Sequence, residues 1–340
     1  MGRKREDRCS AIVISGGGAK GAFAAGVIRD LYNRFRSEGW FSIVGGCSTG
    51  ALMTPLVGLL GGQPEIAEAA MEQLIAQYSE VSTSDILEKK SILDFIRHQE
   101  CLNNSSPLRA RVNEVFRPEW FEQLQRRDMP YCYVVYTNYQ SGTLEVASPR
   151  DSGMTRERFI DALMASASVP VLMEPTIIDG QVCYDGGVRD LLPFTRAIDL
   201  GAEIIVPIML DSGSLPRSES RFRRLDKVVF RTLSIMLDET GKNDLQMANL
   251  VNVAIRARRD VLKALEHRPF CRKKVQAIFN SEAYGELFGT GKRLVRIIDG
   301  LRPDRTLTDN PLRFEPERMR HWIELGERKA RAVMAQSPFA

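Results

Sequence analysis

The pentapeptide Gly46-Cys47-Ser48-Thr49-Gly50 has the GxSxG form, in which a serine sits on a sharp strand-to-helix turn between small neighbours. A serine exposed in this way becomes a nucleophile for acyl transfer once a base takes its proton. With 26 glycines in the chain, the same pattern also arises by chance as a plain serine turn. A second cluster, Gly16-Gly17-Gly18-Ala19-Lys20-Gly21, turns successive backbone N–H groups toward one point at a helix start, which stabilises an oxyanion. It also fits GxGxxG, the dinucleotide fingerprint, or a purely structural tight turn. The dinucleotide reading wants an acid at the end of the next strand. That place holds Gly45-Gly46-Cys47-Ser48, and the nearest acid, Glu38, comes before the strand. A GxxxxGK[ST] phosphate loop fails too, because Lys20 precedes Gly21 and Ala22 follows it.

The serine needs a base. The three histidines are His98, His267 and His321. His98 shares a helical stretch with Ile92, Leu93, Phe95 and Ile96. His267 sits in a charged run, and His321 on the polar edge of the last helix. Neither late histidine lies in a loop after a strand, as a Ser-acid-His triad of α/β-hydrolase order requires. Asp185 is the better candidate: it follows a strand, and Gly186 and Gly187 leave room for another loop to approach. An ordinary carboxylate is a weak base for a hydroxyl, and burial beside apolar groups strengthens it. A turn aspartate in a hairpin is the alternative, since Asp-Gly is a common turn pair.

The elements that must position these residues alternate strand and helix. Ala11–Ile14 is a β-branched run before the glycine turn, and a helix follows over 22–35. Phe41–Val44 reads as a second strand, with a helix from about Ala51. Residues 64–127 read as helices, one opened by Pro64, one capped by Ser84 and one begun by Pro107. Tyr131–Tyr136 reads as a strand, and 156–168 as a helix stopped near Pro170. Short strands near 176–184 flank the hairpin signal Asp179-Gly180. The apolar run Glu203–Leu210 suits a buried parallel strand. Beyond a boundary at 211–216 come long helices over about 218–266, a late strand at 293–298 and a terminal helix at 317–334. This order implies an α/β layered domain with a mainly parallel sheet.

Composition narrows the class. The 340 residues are 44% hydrophobic and 26% charged, which are globular proportions. Forty-seven Lys and Arg against 43 Asp and Glu are too balanced for coating nucleic acid. The basic excess is local: residues 1–210 hold 21 basic and 26 acidic residues, and 211–340 hold 26 and 17. A basic C-terminal third suits an anionic partner such as a membrane surface, or simply solvated helix faces. Six cysteines without a CxxC pair indicate neither a zinc site nor a disulfide framework, hence reduced thiols. The charged N-terminus lacks a signal-peptide core. Ala51–Leu60, the longest apolar stretch, is about half the length that spans a bilayer. The expectation is a cytoplasmic protein whose membrane contact, if any, is peripheral.

Taken together, GGGAKG at 16–21, GCSTG at 46–50 and DGG at 185–187 resemble the patatin-like phospholipase family. Ala165-Ser-Ala-Ser-Val-Pro170, Tyr184–Val188 with Leu192-Pro193, and the closing helix over 314–326 extend the resemblance to about residues 9–335. It implies a three-layer α/β/α sandwich with a mainly parallel central sheet and a helical insert at about 64–127. The catalytic core would cover 9–210, with 211–340 a helical extension packed on the same domain. It implies Ser48 as nucleophile with Asp185 as its only partner, and an oxyanion hole from the amides of Gly16, Gly17 and Gly18. Lys20, Gly21, Gly46, Gly50, Gly186 and Gly187 would be supporting motif positions. The activity implied is hydrolysis of acyl esters of phospholipids, lysophospholipids or neutral glycerolipids, of phospholipase A or lysophospholipase type, without calcium or another cofactor. Acyl transfer on the same fold and a dormant lipid-binding scaffold are the alternatives. Many members carry Arg where Lys20 stands and Ala where Cys47 stands, and neither change removes chemistry. Within the insert, Ile86, Leu87, Ile92, Leu93, Phe95 and Ile96 are candidates for an apolar lid or for ordinary core. The basic amphipathic start at 217–227 is a candidate lipid contact.

Overall fold

The computed structural model describes residues 9–89, 101–213, 225–281, 295–298, 300–308 and 310–336. The β-branched run at the chain's start forms β1 (Ser10–Ile14), buried along its whole length. It lies between two parallel neighbours, β2 (Ile43–Cys47) and β9 (Ile204–Ile208). Such an all-apolar strand needs cover on both faces, and a central place in a parallel sheet supplies it. The sheet runs β10–β9–β1–β2–β5–β8–β7. In it β5 is Tyr131–Asn138, β7 Thr176–Ile178, β8 Gln181–Asp185 and β10 Arg296–Ile297, with β6 (Leu144–Ala147) also on β5. β10 through β5 are parallel, while β6, β7 and β8 form antiparallel pairs. The Asp179-Gly180 hairpin joins β7 to β8, with φ of 51° and 76° at its two central residues.

Alternation along the strands sends side chains into two cores. Ile12, Ile14, Val44, Val134 and Val206 face a layer with α1 (Gly21–Phe35), α2 (Thr49–Leu59) and α3 (Pro64–Ser79). Ala11, Val13, Ile43, Tyr133 and Ile205 face Leu192, Phe194, Ala197 and Leu245 on the other side. The result is the expected three-layer α/β/α arrangement around a mainly parallel sheet. Helix α10 (Pro316–Gln336) lies against α1, where a Cβ on Gly26 would sit 1.9 Å from the Ile323 carbonyl oxygen. Among the described residues no helix is long and apolar enough to cross a membrane.

Several boundaries differ from the sequence reading. β2 starts at Ile43 and runs on to Cys47, because Phe41 packs edge-to-face against Phe35 and Trp40 instead of extending the strand. The segment 64–127 is not all helical. After α3, Ser82 rather than Ser84 caps a short 3₁₀ turn (Thr83–Asp85), its N–H donating to Asp85 Oδ2 at 2.8 Å. A two-stranded antiparallel piece follows, β3 (Glu88–Lys89) with β4 (Asn103–Asn104), before α4 (Ser106–Val115) and α5 (Pro118–Gln125). Helix α6 (Arg156–Ala167) and the short α7 (Phe194–Asp199) come next. Then α8 (Leu225–Ala264) is a single 40-residue helix, and α9 (Pro269–Phe279) follows where no element was expected. Ile86 and Leu87 are buried. The remaining lid candidates Ile92, Leu93, Phe95 and Ile96, together with His98 and all of 217–224, lie outside the described residues.

Candidate active site

Register brings the motif loops together. Ile14 pairs with Gly46 on one side and Ile208 on the other, so β1, β2 and β9 end level. The glycine turn, Ser48 and Asp211 therefore leave the sheet at one edge, the C-terminal edge where parallel sheets hold their ligands. β5 lies parallel to β2 with Val135 opposite Cys47, and β8 runs antiparallel to β5 with Asp185 opposite Tyr136. The end of β8 thus reaches the level of Ser48 from the opposite direction.

Ser48 stands between β2 and α2 at φ 55° and ψ −123°, a left-handed backbone that a non-glycine residue adopts only under constraint. The constraint comes from contact. A Cβ on Gly46 would lie 2.3 Å from the Gly50 carbonyl oxygen, and one on Gly50 would lie 2.2 Å from that of Ile14. The Ser48 N–H donates to Ser166 Oγ at 2.9 Å, and that hydroxyl donates to the Val135 carbonyl oxygen at 2.6 Å. Ser166, on α6, pins the strained turn to the sheet. It belongs to the Ala165–Pro170 motif, the signal from which a role was available, although its partners lie 118 and 31 residues away.

Asp185 is buried. Its N–H donates to the Ser168 carbonyl oxygen at 2.9 Å, and its own carbonyl accepts from Thr137 Oγ1 at 3.0 Å. Oδ1 accepts from the Gly187 N–H at 2.8 Å and from Cys47 Sγ at 3.5 Å. Burial pushes the carboxyl up to about 6, against the opposing pull of Ser48, Gly187 and Cys47. The turn-aspartate alternative accounts for the Gly187 bond but not for the burial beside Ser48. Burial, helped by Asp185, holds the Cys47 thiol well above its ordinary value, so it stays protonated.

The glycine turn closes the third side. A Cβ on Gly16 would lie 2.9 Å from Ser48 Cβ. No hydrogen bond among the described residues takes up the N–H of Gly16, Gly17 or Gly18, whereas the Ala19 N–H donates to the Pro311 carbonyl oxygen. Lys20 is buried, and its Nζ meets Asp211 Oδ1 at 2.5 Å, tying the turn to the end of β9. A second pair of carboxyls, Asp190 and Asp244, lies beside the Asp185 loop. Asp244 Oδ2 accepts the N–H groups of Leu191 and Leu192, each at 3.0 Å. Burial raises both carboxyls, and the charge of Asp244 raises Asp190 further. Leu191 itself is wedged between Gly16 and Gly187. Asp211, Asp190 and Asp244 were not anticipated, and no local pattern marks them.

These groups open on a cavity of about 660 Å³. Its walls beyond Ser48 are apolar, from Leu52 and Leu56 on α2, Leu74 on α3, Leu108 and Val112 on α4 and Leu163 on α6. Ile86 also faces it, while Lys20, Arg111, Asp211, Lys227 and Arg231 supply charge. The cavity falls in the size range of ligand sites. His267 and His321 are exposed and line none of it. Among the described residues no group of three or more His, Cys, Asp or Glu could hold a metal ion.

Comparison with known proteins places this geometry. The sequence model of the family described as Patatin-like phospholipase matches residues 12–198. Patatin-like phospholipase domain-containing protein 7 of Rattus norvegicus is 28% identical over 205 residues, 60% of this chain and 14% of the rat protein. An uncharacterized NTE family protein of Mycobacterium bovis is 25% identical over 209 residues, 60% of this chain and 49% of its own length. The matched segment thus spans half or less of these curated relatives. The crystal structure of VipD from Legionella pneumophila aligns over 97% of this chain and 67% of its own, with 13% identity and a TM-score of 0.48.

Proposed function

Because this chain belongs to the patatin-like phospholipase family, we propose that it is a lipid acyl hydrolase in which Ser48 and Asp185 form a catalytic dyad. The observation that carries the reading is the meeting, at one end of an apolar cavity, of a serine on a strained turn and a buried carboxylate. An acyl chain enters the apolar end with its ester carbonyl beside Ser48. Asp185 takes the hydroxyl proton as Oγ attacks the carbonyl carbon. The oxyanion accepts hydrogen bonds from amides of Gly16, Gly17 and Gly18. The Ser48 N–H, already given to Ser166, is not needed. Collapse breaks the ester C–O bond, and the leaving alkoxide takes the proton from Asp185. Water, deprotonated in turn by Asp185, attacks the acyl-enzyme carbonyl; the bond to Ser48 Oγ breaks, Asp185 returns the proton to Oγ, and the fatty acid leaves. The carboxyl raised to about 6 is a better base than an ordinary aspartate and still ionises at neutral pH.

Phospholipids, lysophospholipids and other acyl-ester lipids are the substrates this reading takes, without calcium. The setting this reading takes is cytoplasmic, where six scattered cysteines stay reduced. The test is labelling by a fluorophosphonate probe, with the modified residue located by mass spectrometry. Fatty-acid release from a lipid panel is followed in parallel, with and without an alcohol acceptor. Labelling at Ser48 and acceptor-independent release are expected. An unlabelled Ser48 in folded protein sinks the reading, and product appearing only as transferred ester replaces hydrolysis by acyl transfer.

A further inference from the structure

Helix α8 turns one face to the protein, and among the described residues its other face is exposed. Asp244 and Leu245 meet the Asp185 loop and the core, and Asn252 Oδ1 accepts the Val295 N–H at 3.1 Å. On the far side Val228, Ile235, Met236, Leu250, Val253 and Val261 are exposed, Leu250 by 53% and Val253 by 58%. At 3.6 residues per turn these six fall within an arc of about 100°, in two apolar patches, 228–236 and 250–261, with the exposed Glu239, Asn243 and Gln246 between them. Helix α9 has no buried residue, and its Phe270 and Ile278 are 71% and 63% exposed. Most of the exposed large apolar side chains of the described residues lie on these two helices. A surface of this kind marks an interaction site.

Charge says what covers it. From Leu250 to Ser281 the chain carries eight Lys and Arg against two acids, Asp260 and Glu266. Arg272, Lys273 and Lys274 stand exposed on α9 itself, with Lys274 Nζ 4.7 Å from the Phe270 ring centre. A second copy of the chain would set this strong positive charge against itself. Over 250–281 an apolar stripe with a Lys- and Arg-rich remainder suits instead the boundary of an anionic bilayer, apolar residues among the acyl chains and cations at the headgroups, whereas 225–249 carries four acids against three cations. The same helix begins at the cavity, where Lys227, Arg231, Ser234 and Leu237 contribute to its wall. We propose that the outer face of α8 and α9 is the surface by which this protein docks on an anionic lipid bilayer, with Phe270 and Ile278 inserted and Arg272, Lys273 and Lys274 at the headgroups. The proposal goes beyond the hydrolase reading and does not depend on turnover.

The experiment is vesicle flotation of the full chain carrying Ser48→Ala, so that no lipid is consumed. Vesicles of phosphatidylcholine alone are compared with vesicles of phosphatidylcholine and phosphatidylglycerol, at low and high salt. Binding is expected to the mixed vesicles and to weaken with salt over a Debye length. The triple reversal Arg272→Glu, Lys273→Glu, Lys274→Glu is expected to lower the partition roughly a hundredfold or more. The pair Phe270→Ser, Ile278→Ser is expected to lower it roughly tenfold or more. The charge-keeping Lys273→Arg, Lys274→Arg should bind as before, and unchanged unfolding midpoints would show that the variants are folded. Equal binding of all variants overturns the proposal. So does a chain that ignores vesicles and forms a dimer which the Phe270 and Ile278 substitutions dissociate. Vesicle binding by a protein whose Ser48 proves unreactive defeats the hydrolase reading and leaves the docking surface standing.

Discussion

Helices α1 and α9 both carry apolar residues at helical spacing, yet α1 buries 11 of its 15 residues and α9 none of its 11. The difference lies in what stands between the apolar positions. In the first two turns of α1 they are Ala and Gly, with Arg29, Asp30, Asn33 and Arg34 only in the later turns; Gly26 faces the Ile323 backbone of α10, and a Cβ on Gly326 of α10 would lie 2.0 Å from the Phe23 carbonyl oxygen. Backbone can approach backbone there, and α1 is enclosed between sheet and helix. In α9 they are Arg272, Lys273 and Lys274, whose desolvation no packed neighbour would offset. Apolar content alone therefore does not fix burial. Small residues invite a covering element, and cations keep a helix at the water boundary. The enclosed region supports the strained serine turn, and the bare region leaves the molecule a face for a partner.

The sharpest way to test the enclosed region is at the residues it holds in place. Ser48→Ala and Asp185→Asn should each lower ester turnover by about 10⁴-fold or more, and the double variant should be little worse, since the pair acts as one unit. Steady-state hydrolysis of a soluble ester checks this, and additive losses would separate the two residues. Exchanging His267 or His321, which lie outside the cavity, should retain most turnover. A histidine variant as inactive as Ser48→Ala would end the dyad assignment.

Gly17→Ala should lower kcat by about 10²–10³, the cost of one misdirected oxyanion donor. A Cβ there would lie 2.7 Å from Leu210 Cβ, so the variant should lose stability as well, and kcat must be measured on the folded fraction. Next comes packing itself. Gly26→Ala should cost about 3 kcal/mol in denaturant unfolding because the Ile323 backbone must move, whereas Phe270→Ser on α9 should cost less than about 0.5 kcal/mol. Equal costs would erase the contrast between the two helices.

The smallest effect concerns pH. Asp185 must be ionised to act as a base, so kcat/KM should fall about tenfold per pH unit below about 6. Stability moves the other way. Each of Asp185, Asp190 and Asp244 has its folded-state value raised, so each favours folding most when protonated and loses that contribution as pH rises through the raised value. Asp190→Asn should therefore lose less unfolding free energy between pH 5 and pH 8 than the unaltered chain does. An identical pH slope would mean that Asp190 carries no raised titration.

How far the molecule was legible depends on range. The glycine turn, the serine pentapeptide and the Asp-Gly hairpin are local patterns, written in residues that their own backbone geometry demands. The parallel sheet followed from uninterrupted apolar runs such as Ile204–Ile208. What escaped were partners set by register: Asp211 for Lys20, 191 residues away, and Asp244 for the Leu191 and Leu192 amides, 53 and 52 away. Boundaries slipped where tertiary packing overrode strand propensity, as at Phe41. Helix α9 was passed over because its cations break the apolar pattern by which a buried helix is recognised.

The position of β1 has a consequence for how the chain comes to be folded. Its two neighbours are β2, some thirty residues on, and β9, whose Ile204 pairs with Ser10. A ribosome extending the chain by roughly 5–20 residues per second exposes one edge of β1 for on the order of 10–40 s before β9 emerges. Pairing across so long a loop is also slow in itself. During that interval a fully buried strand presents an open edge, and α1 still lacks its cover from α10. Mispairing at the open edge of β1 is thus a hazard of nascent chains halted before β9.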